Sequence, residues 1–339
     1  MKKLRVLVLM HDYMVPPDDV SGHDLMEVPW KTEHDVVVTL TDMGHDIRKV
    51  GVGDDLSIVR RTVEEWKPHI VFNLMEAFHE LGTFDHNVVS YLELLRVPYT
   101  GCNPRGLMLA RDKALSKTIL HYHRIAVPEF AVVHVGRKVR RPKRLRFPLI
   151  VKSLTQEAST GIAQASVVND DDKLQERTTF IHDRVGTDAI LEQYIEGREL
   201  YVGIIGNQRL TVFPVWELHF TKRADEVHNI ATDRVKWSTK YQRKYGIKTR
   251  AAKLPDDVAA RIQYVCKRVY RSLDLSGYAR IDLRMDEAGK AFVIEANPNP
   301  QLGYGEDFAE SAERAGVSYE QLLQRILMTG LQWRPERLG

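Results

Sequence analysis

Cysteine is scarce in this sequence, which contains only Cys102 and Cys266 among 339 residues. The two lie far apart and lack the spacing of a zinc knuckle, so a disulfide framework and a cysteine-based metal site are both excluded. A chain with so few cysteines is typical of a reducing compartment. We therefore predict a cytoplasmic protein.

Long apolar runs are also missing. The first apolar stretch, Leu4–Met10, ends at once at His11 and Asp12. No small-residue cleavage site follows it, and no run approaches the roughly 20 residues of a membrane span. The stretch therefore predicts the first strand of a soluble protein, with no membrane partner.

Charge of one sign is not in excess, since 49 Lys and Arg face 46 Asp and Glu and leave a net charge of +3. This balance predicts no nucleic-acid partner. The densest basic run, Arg137–Arg146, contains Pro142, and we interpret it as a solvated connector between strands. A phosphate-facing role is the alternative. The length favours two or three domains, because single cores stop growing near roughly 250–300 residues.

The first hundred residues alternate between strand and helix. Apolar runs at Leu4–Met10 and Ile70–Leu74 are typical of buried parallel strands, and Thr32–Met43 and Ser57–Trp66 have helical patterns. This alternation predicts an open α/β domain.

The pattern changes after residue 130 to short apolar strands separated by turns, which predicts an α+β body with antiparallel strands. The predicted strands are Phe130–Val135, Leu149–Lys152, Gln164–Val168, Ile190–Tyr194, Leu200–Ile205 and Leu210–Trp216. The predicted helices are Asp171–His182, Asp256–Leu273 and Tyr319–Gly330.

The strongest chemical signal is a pair of strands joined by a hairpin turn. Side chains alternate along a strand, so Arg280, Asp282 and Arg284 share one face, and Glu295 and Asn297 share a face of the partner. If the faces coincide, two carboxylates and an amide oxygen meet. Such hard oxygen ligands suit Mg²⁺ or Mn²⁺, with phosphate oxygens completing the shell. The alternative is a hairpin with ordinary polar faces.

A second motif is the apolar strand that ends in Lys152, followed by the small-residue segment Glu157–Ile162. The lysine can deliver a positive charge into a site, and the small residues allow backbone N–H groups to approach phosphate oxygens. The alternative is a surface lysine at the end of a strand.

The third motif is Leu191–Ile195 with the following Glu196–Glu199. An extended segment can offer backbone groups to an adenine edge, and Glu199 is then free to accept hydrogen bonds from ribose hydroxyls. An edge strand with a tight turn at Gly197 explains the pattern equally well.

Taken in this order, these motifs resemble the D-alanine–D-alanine ligase branch of the ATP-grasp superfamily over nearly the whole chain. The resemblance implies an α/β and α+β fold of three domains, with an N-terminal open parallel sheet and the nucleotide between the central and C-terminal domains. The implied domains are 1–102 (N-terminal α/β), 103–188 (central, with the phosphate loop) and 189–339 (C-terminal, with the metal site). A homodimer formed through the N-terminal domain is also implied.

The resemblance further implies a role for each matching residue. Contacts to ATP are assigned to Lys113 and Lys152 (phosphates), to Ser159, Thr160 and Gly161 (a loop closing over them), to Glu192, Gln193, Tyr194 and Ile195 (adenine) and to Glu199 (ribose). Asp282, Glu295 and Asn297 are implied to hold two Mg²⁺ ions, with Mn²⁺ as a possible substitute. Arg280 is implied to stabilise developing negative charge. Lys236 is the favoured further phosphate contact and Lys240 the competitor.

The sequence departs from this family where the amino-acid substrates are expected. The segments Met75–Glu80 and Pro298–Tyr304 replace the family's histidine–glycine and Pro-Gly-Met patterns, and the expected ammonium-binding glutamate has only Glu27, Glu33 or Glu76 as candidates. We therefore predict an ATP-dependent ligase that joins a small-molecule carboxylate and amine, both amino-acid-like, through an acyl phosphate. The candidate substrate contacts are Glu76, Asn299 and Gln301.

Three other functions are weighed against this one. They are a D-alanine–D-alanine ligase of cell-wall synthesis, a non-catalytic nucleotide-binding regulatory module, and a metal hydrolase built on His79, Glu80, Asp85 and His86. Retention of Lys113, Lys152, Asp282, Glu295 and Asn297 together disfavours the second. Clustered histidines on a polar loop are usually solvated, which disfavours the third.

Overall fold

A computed structural model describes residues 3–25, 27–156, 161–220 and 247–335, and its strands form three sheets. The first sheet is parallel, with the order β2-β1-β3. Its elements are β1 (Arg5–His11), α1 (Lys31–Asp42), β2 (Asp46–Val52), α2 (Ser57–Trp66), β3 (Ile70–Asn73) and α3 (Asp85–Leu94). The predicted open α/β domain is confirmed.

Two consecutive helices, α4 (Pro104–Arg111) and α5 (Lys113–Tyr122), lead away from this sheet. Each begins at a side-chain cap: Asn103 accepts a hydrogen bond from the N–H of Gly106, and Asp112 accepts from the first N–H groups of α5. The second cap separates the helices at Asp112, so that α5 starts with a lysine.

The second sheet is antiparallel, with the order β4-β7-β5-β6. Its elements are β4 (Phe130–Val133), β5 (Leu149–Ser153), β6 (Val167–Val168), α6 (Asp171–Phe180) and β7 (Ala189–Gln193). The predicted strand Gln164–Val168 was too long, because residues 164–166 form a 3₁₀ turn. Since β7 pairs with β4 and β5, we propose moving the domain boundary from 188/189 to beyond Gln193.

The third sheet has the order β11-β10-β8-β12-β13, with β9 paired to β8. Its elements are β8 (Arg198–Ile205), β9 (Thr211–Val212), β10 (Trp216–Phe220), β11 (Ile247–Ala251), α7 (Asp256–Ser272), β12 (Tyr278–Met285), β13 (Ala291–Pro298), α8 (Asp307–Arg314) and α9 (Tyr319–Gln332). The prediction of one strand over Leu210–Trp216 was wrong. Pro214 lacks the N–H that a continuous ladder requires, and the chain leaves the sheet there.

The largest hydrophobic core joins the first and third sheets. Leu7 and Val88 belong to the same buried cluster as Val202 and Val269, and Leu107 of α4 lies in it too. The second sheet has a separate small core that includes Leu149, Leu174 and Leu191. Within the described residues, no helix is both long enough and apolar enough to cross a membrane.

Candidate active site

The hairpin β12–β13 brings the predicted metal-binding side chains to one face. Asp282 lies directly opposite Glu295, and Arg280 lies opposite Asn297. Opposed residues of an antiparallel pair point to the same side, with Cβ atoms about 4.5–5.5 Å apart. Asp282 and Glu295 both line a pocket between the second and third sheets. The two carboxylates therefore lie on one face and line the same pocket, which is the condition that the metal-site hypothesis required.

Arg280 is bound to one of these carboxylates. Its Nε lies 2.7 Å from Oδ1 of Asp282 and its Nη2 lies 2.9 Å from Oδ2, a bidentate pair. Burial lowers the pKa of Arg280, but the neighbouring Asp282 more than offsets this effect and raises the pKa overall. The guanidinium is therefore charged at every physiological pH.

The donor set fits a divalent cation that takes its remaining ligands from a phosphate. Nδ2 of Asn297 is buried and has no hydrogen-bond partner among the described residues, so the amide can turn its oxygen toward an ion. No group of three His, Cys, Asp or Glu side chains suited to a metal occurs in the described part of the chain. Two carboxylates and one amide leave several positions for phosphate oxygens and water, as Mg²⁺ prefers.

Lys152 reaches the same pocket from β5. Its Nζ lies 3.0 Å from Oε2 of Glu192, which stands on the neighbouring strand β7. The other oxygen of Glu192 lies 3.3 Å from Nζ of Lys117 on α5. All three side chains are buried. Burial favours the neutral form of Glu192, but the two lysines outweigh it and lower the pKa of this carboxyl.

The pocket is lined by both apolar and charged side chains. Six apolar side chains line it: Ile150, Ile162, Tyr194, Ile195, Leu283 and Ile294. Charged side chains also line it, among them Lys152, Glu192, Asp282 and Glu295. A flat apolar ring with an anionic tail, bridged by metal ions, is the kind of ligand that such a lining accommodates.

Glu199 lines the pocket but is not free, contrary to the sequence prediction. Its Oε1 accepts a hydrogen bond from the Tyr201 hydroxyl at 2.9 Å, and its Oε2 lies 3.0 Å from Nη1 of Arg284. Arg284 also donates to the carbonyl of Ile195 at 2.6 Å and stacks over the Tyr194 ring. Arg284 thus orders the predicted adenine segment, a role that the sequence analysis did not assign to it.

Lys113 lies at the entrance to the predicted phosphate loop. Its side chain is buried, and its Nζ donates to the carbonyl of Gln156 at 2.7 Å. Gly161, at the far end of the loop, has a positive φ of 70° and accepts a hydrogen bond from Arg177. Ser159, Thr160, Lys236 and Lys240 lie outside the described residues, and their roles stay predictions.

Two of the candidate substrate contacts lie on the segment after β13. Asn299 has a left-handed φ of 53°, and its Oδ1 accepts a hydrogen bond from the Cys102 N–H at 2.8 Å. A Cβ at Gly101 would lie only 2.5 Å from that oxygen, which explains the glycine. Gln301 is exposed, as is the third candidate, Glu76.

The histidine-based metal site receives no support from the described residues. Asp85 is buried against Arg111 and accepts a hydrogen bond from the N–H of His86, so it serves the start of α3. His79 and Glu80 form an exposed turn with positive φ angles of 50° and 60°.

Glu33 on α1 is a strongly perturbed acid, only 8% exposed. Burial, together with the negative charges of Glu76 and Asp35, raises its pKa to about 7. Because the pKa of Glu33 is higher in the folded than in the unfolded protein, protonation of Glu33 adds to the free energy of unfolding. This contribution is complete below pH ~4.5 and is lost as the pH rises through ~7.

We compare the free energy of unfolding of Glu33→Gln with that of wild type. We expect this difference to shift in favour of Glu33→Gln by about 1–3 kcal/mol from pH 5 to pH 8. Urea unfolding at both pH values measures the difference. Glu64→Gln, an exposed glutamate on α2, is the matched control. A constant difference between Glu33→Gln and wild type at both pH values would contradict the raised pKa.

Comparison with known proteins identifies the family. Residues 119–328, more than half of the chain, match the family model "D-ala D-ala ligase C-terminus". The chain belongs to the D-alanine–D-alanine ligase family. The predicted recognition, the ATP-grasp fold and the prediction of an ATP-dependent ligase forming C–N bonds are confirmed at this level.

Individual relatives span nearly the whole chain. An uncharacterized protein of Sinorhizobium fredii is 31% identical over 311 residues, covering 88% of each chain. A D-alanine–D-alanine ligase of Desulforudis audaxviator is 29% identical and covers 89% of this chain and 93% of its own. The crystal structure of the Bacillus anthracis D-alanine–D-alanine ligase complexed with ATP superposes with a TM-score of 0.76 at 21% identity, covering 97% of this chain and 98% of that one.

Proposed function

We propose that this member of the D-alanine–D-alanine ligase family joins a carboxylate and an amine, other than two D-alanines, at the expense of ATP. The observation that carries the proposal is the pocket in which Lys152 and the opposed pair Asp282 and Glu295 face one space beside apolar side chains. This lining supplies a cation suited to phosphates, oxygen ligands suited to metal and apolar surface suited to a flat ring, which supports the proposal.

The reaction has two steps. A carboxylate oxygen attacks the γ-phosphorus of ATP, the bond to the β–γ bridging oxygen breaks, and ADP leaves. An amine nitrogen then attacks the acyl carbon, the carbon–oxygen bond to phosphate breaks, phosphate departs and the nitrogen gives up a proton. Two Mg²⁺ ions held by Asp282, Glu295 and Asn297 would neutralise charge on the transferring phosphoryl group.

Each protein group has a defined task in this proposal. Lys113 and Lys152 bind phosphate oxygens, and Glu192 holds Lys152 in place. The segment from Glu192 to Ile195 contacts adenine, and Glu199 meets the ribose while sharing its oxygens with Arg284 and Tyr201. Arg280 stabilises developing charge, and it must share Asp282 with the metal because it contacts both carboxylate oxygens.

Support for a different substrate pair comes from the two segments in which the sequence departs from the family's patterns, Met75–Glu80 and Pro298–Tyr304. Glu76, with Glu33 close enough for their charges to interact, offers negative charge to a substrate ammonium. After β13, Asn299 is tied to the backbone of Cys102, and the exposed Gln301 follows it. A homodimer formed through the N-terminal domain is part of the proposal on the ground of the family resemblance alone.

A matrix of carboxylic acids and amines, assayed for phosphate release with mass spectrometry of products, tests the proposal. We expect ATP turnover that requires both components and gives an amide other than D-alanyl-D-alanine. Asp282→Asn serves as the control for contaminating ATPases. Formation of D-alanyl-D-alanine as the best product would favour the D-alanine–D-alanine ligase instead, and Mg·ATP binding without turnover of any pair would favour the regulatory module.

A further inference from the structure

A lysine outside the predicted set contacts two residues that line the pocket, Glu192 and Ile294. Lys117 on α5 is fully buried, with its side chain only 1% exposed. It stands one helical turn after Lys113 and therefore on the same face of α5. Burying an ammonium group costs several kcal/mol unless its contacts compensate, so the contacts of Lys117 define its role.

The first contact is to Glu192, which Lys117 shares with Lys152. One oxygen of this carboxylate lies 3.0 Å from Nζ of Lys152, and the other lies 3.3 Å from Nζ of Lys117. Glu192 therefore accepts a hydrogen bond from Lys152 on one oxygen and forms an ion pair with Lys117 on the other, which accepts no hydrogen bond from the described residues. Lys152 alone would already neutralise Glu192, and the second ammonium also interacts with the negative charge of Glu295, so two lysines face two carboxylates beside the pocket.

The second contact is to the main chain of β13, where Lys117 donates to the carbonyl of Ile294. The strand register skips this residue: Asp282 pairs with Glu295, and the next pair is Leu283 with Val293. Ile294 is therefore the extra residue of a β-bulge. Bulges bend a strand and re-aim its side chains, and they are common next to active sites.

These two contacts connect separate parts of the site. Lys117 contacts Glu192, which holds the phosphate-facing Lys152. It also contacts the carbonyl of Ile294, which lies in the bulge just before Glu295. The joined elements are α5, β7 and β13, and the contact to Ile294 spans 177 residues of sequence. Glu295 also interacts electrostatically with both lysines, so the charges of the phosphate end and the metal end are coupled through this residue.

We propose that Lys117 is a positioning residue that aligns Lys152 through Glu192 and aims Glu295 through the bulge at Ile294. This inference rests on the proposed function, because it assigns the aligned groups to ATP phosphates and metal. The ligand that it serves is the metal-bound triphosphate of a nucleotide.

Calorimetric titration of ATP into the full-length protein tests the proposal with two readouts. They are the Kd for ATP at saturating Mg²⁺ and the Mg²⁺ concentration that gives half-maximal nucleotide binding. For Lys117→Met, which keeps the length but removes the charge and the donor, we expect both values to rise about tenfold or more. Thr118→Val, at the next and exposed position of α5, is expected to leave both unchanged.

Lys117→Gln separates the two contacts and also covers the case in which the Met variant does not fold. Glutamine can still donate to the Ile294 carbonyl but carries no charge for Glu192. We expect its Kd for ATP to rise while its Mg²⁺ requirement stays near the wild-type value. Combining Lys117→Met with Lys152→Met completes a double-mutant cycle. In protein that already carries Lys152→Met, we expect Lys117→Met to have almost no further effect on the Kd for ATP.

Three results would overturn the proposal. They are a folded Lys117 variant with wild-type values in both readouts, a lowered melting temperature with unchanged nucleotide affinity, and additive effects of Lys117→Met and Lys152→Met. The outcome that the wild-type protein binds no nucleotide is distinct, because it would overturn the proposed function itself.

Discussion

Asp282→Asn and Glu295→Gln are each expected to reduce ATP-dependent product formation by a factor on the order of 10³ or more. The two carboxylates oppose each other on β12 and β13 and face the pocket, so each substitution removes charge at the point where cations meet the triphosphate. Phosphoryl transfer depends almost entirely on positioning and charge stabilisation, so little activity should remain. Steady-state phosphate release with an identified substrate pair measures the loss.

The matched control is Glu287→Gln, which changes an exposed glutamate in the turn of the same hairpin. It should leave the rate unchanged. Asp282 also holds Arg280, so circular dichroism must show that Asp282→Asn is folded. An unchanged rate in either folded variant, Asp282→Asn or Glu295→Gln, would remove the basis for the metal assignment.

Lys152→Met is expected to raise the Kd for Mg·ATP by about 10–100-fold. A hydrogen bond to a charged group contributes about 1.5–3 kcal/mol, and a tenfold change corresponds to about 1.4 kcal/mol. The variant keeps the volume of the side chain, and Lys117 remains to neutralise Glu192. Calorimetric titration of Mg·ATP gives the value directly.

For this variant, Lys173→Met on the exposed surface of α6 is the control, since it removes the same charge from a side chain that does not line the pocket. Equal affinities of Lys152→Met and Lys173→Met for Mg·ATP would show that Lys152 does not contact the nucleotide. The effect should also exceed that of Lys117→Met, because Lys152 is proposed to touch the phosphates and Lys117 acts through it.

Elements with a strong local period could be predicted from the sequence. Helix α2 was predicted with its observed ends, and α7 differs by one residue from its prediction. The helices α3 and α8 were missed. The first begins in the polar stretch Asp85–Asn87 and has only a weak apolar stripe. The second is only eight residues long, and its buried face consists mainly of Phe308 with the small residues Ala309 and Ala312.

The sequence by itself determined the alternation that puts Asp282 and Arg280 on one face of a strand, and Glu295 and Asn297 on one face of its partner. A period of two residues is a local property of an extended chain. Only the tertiary structure decided that these faces coincide, that a bulge falls at Ile294, and that Glu192 binds two lysines. Those contacts join strands and helices distant in sequence, and no local pattern encodes which distant partner a buried charge will meet.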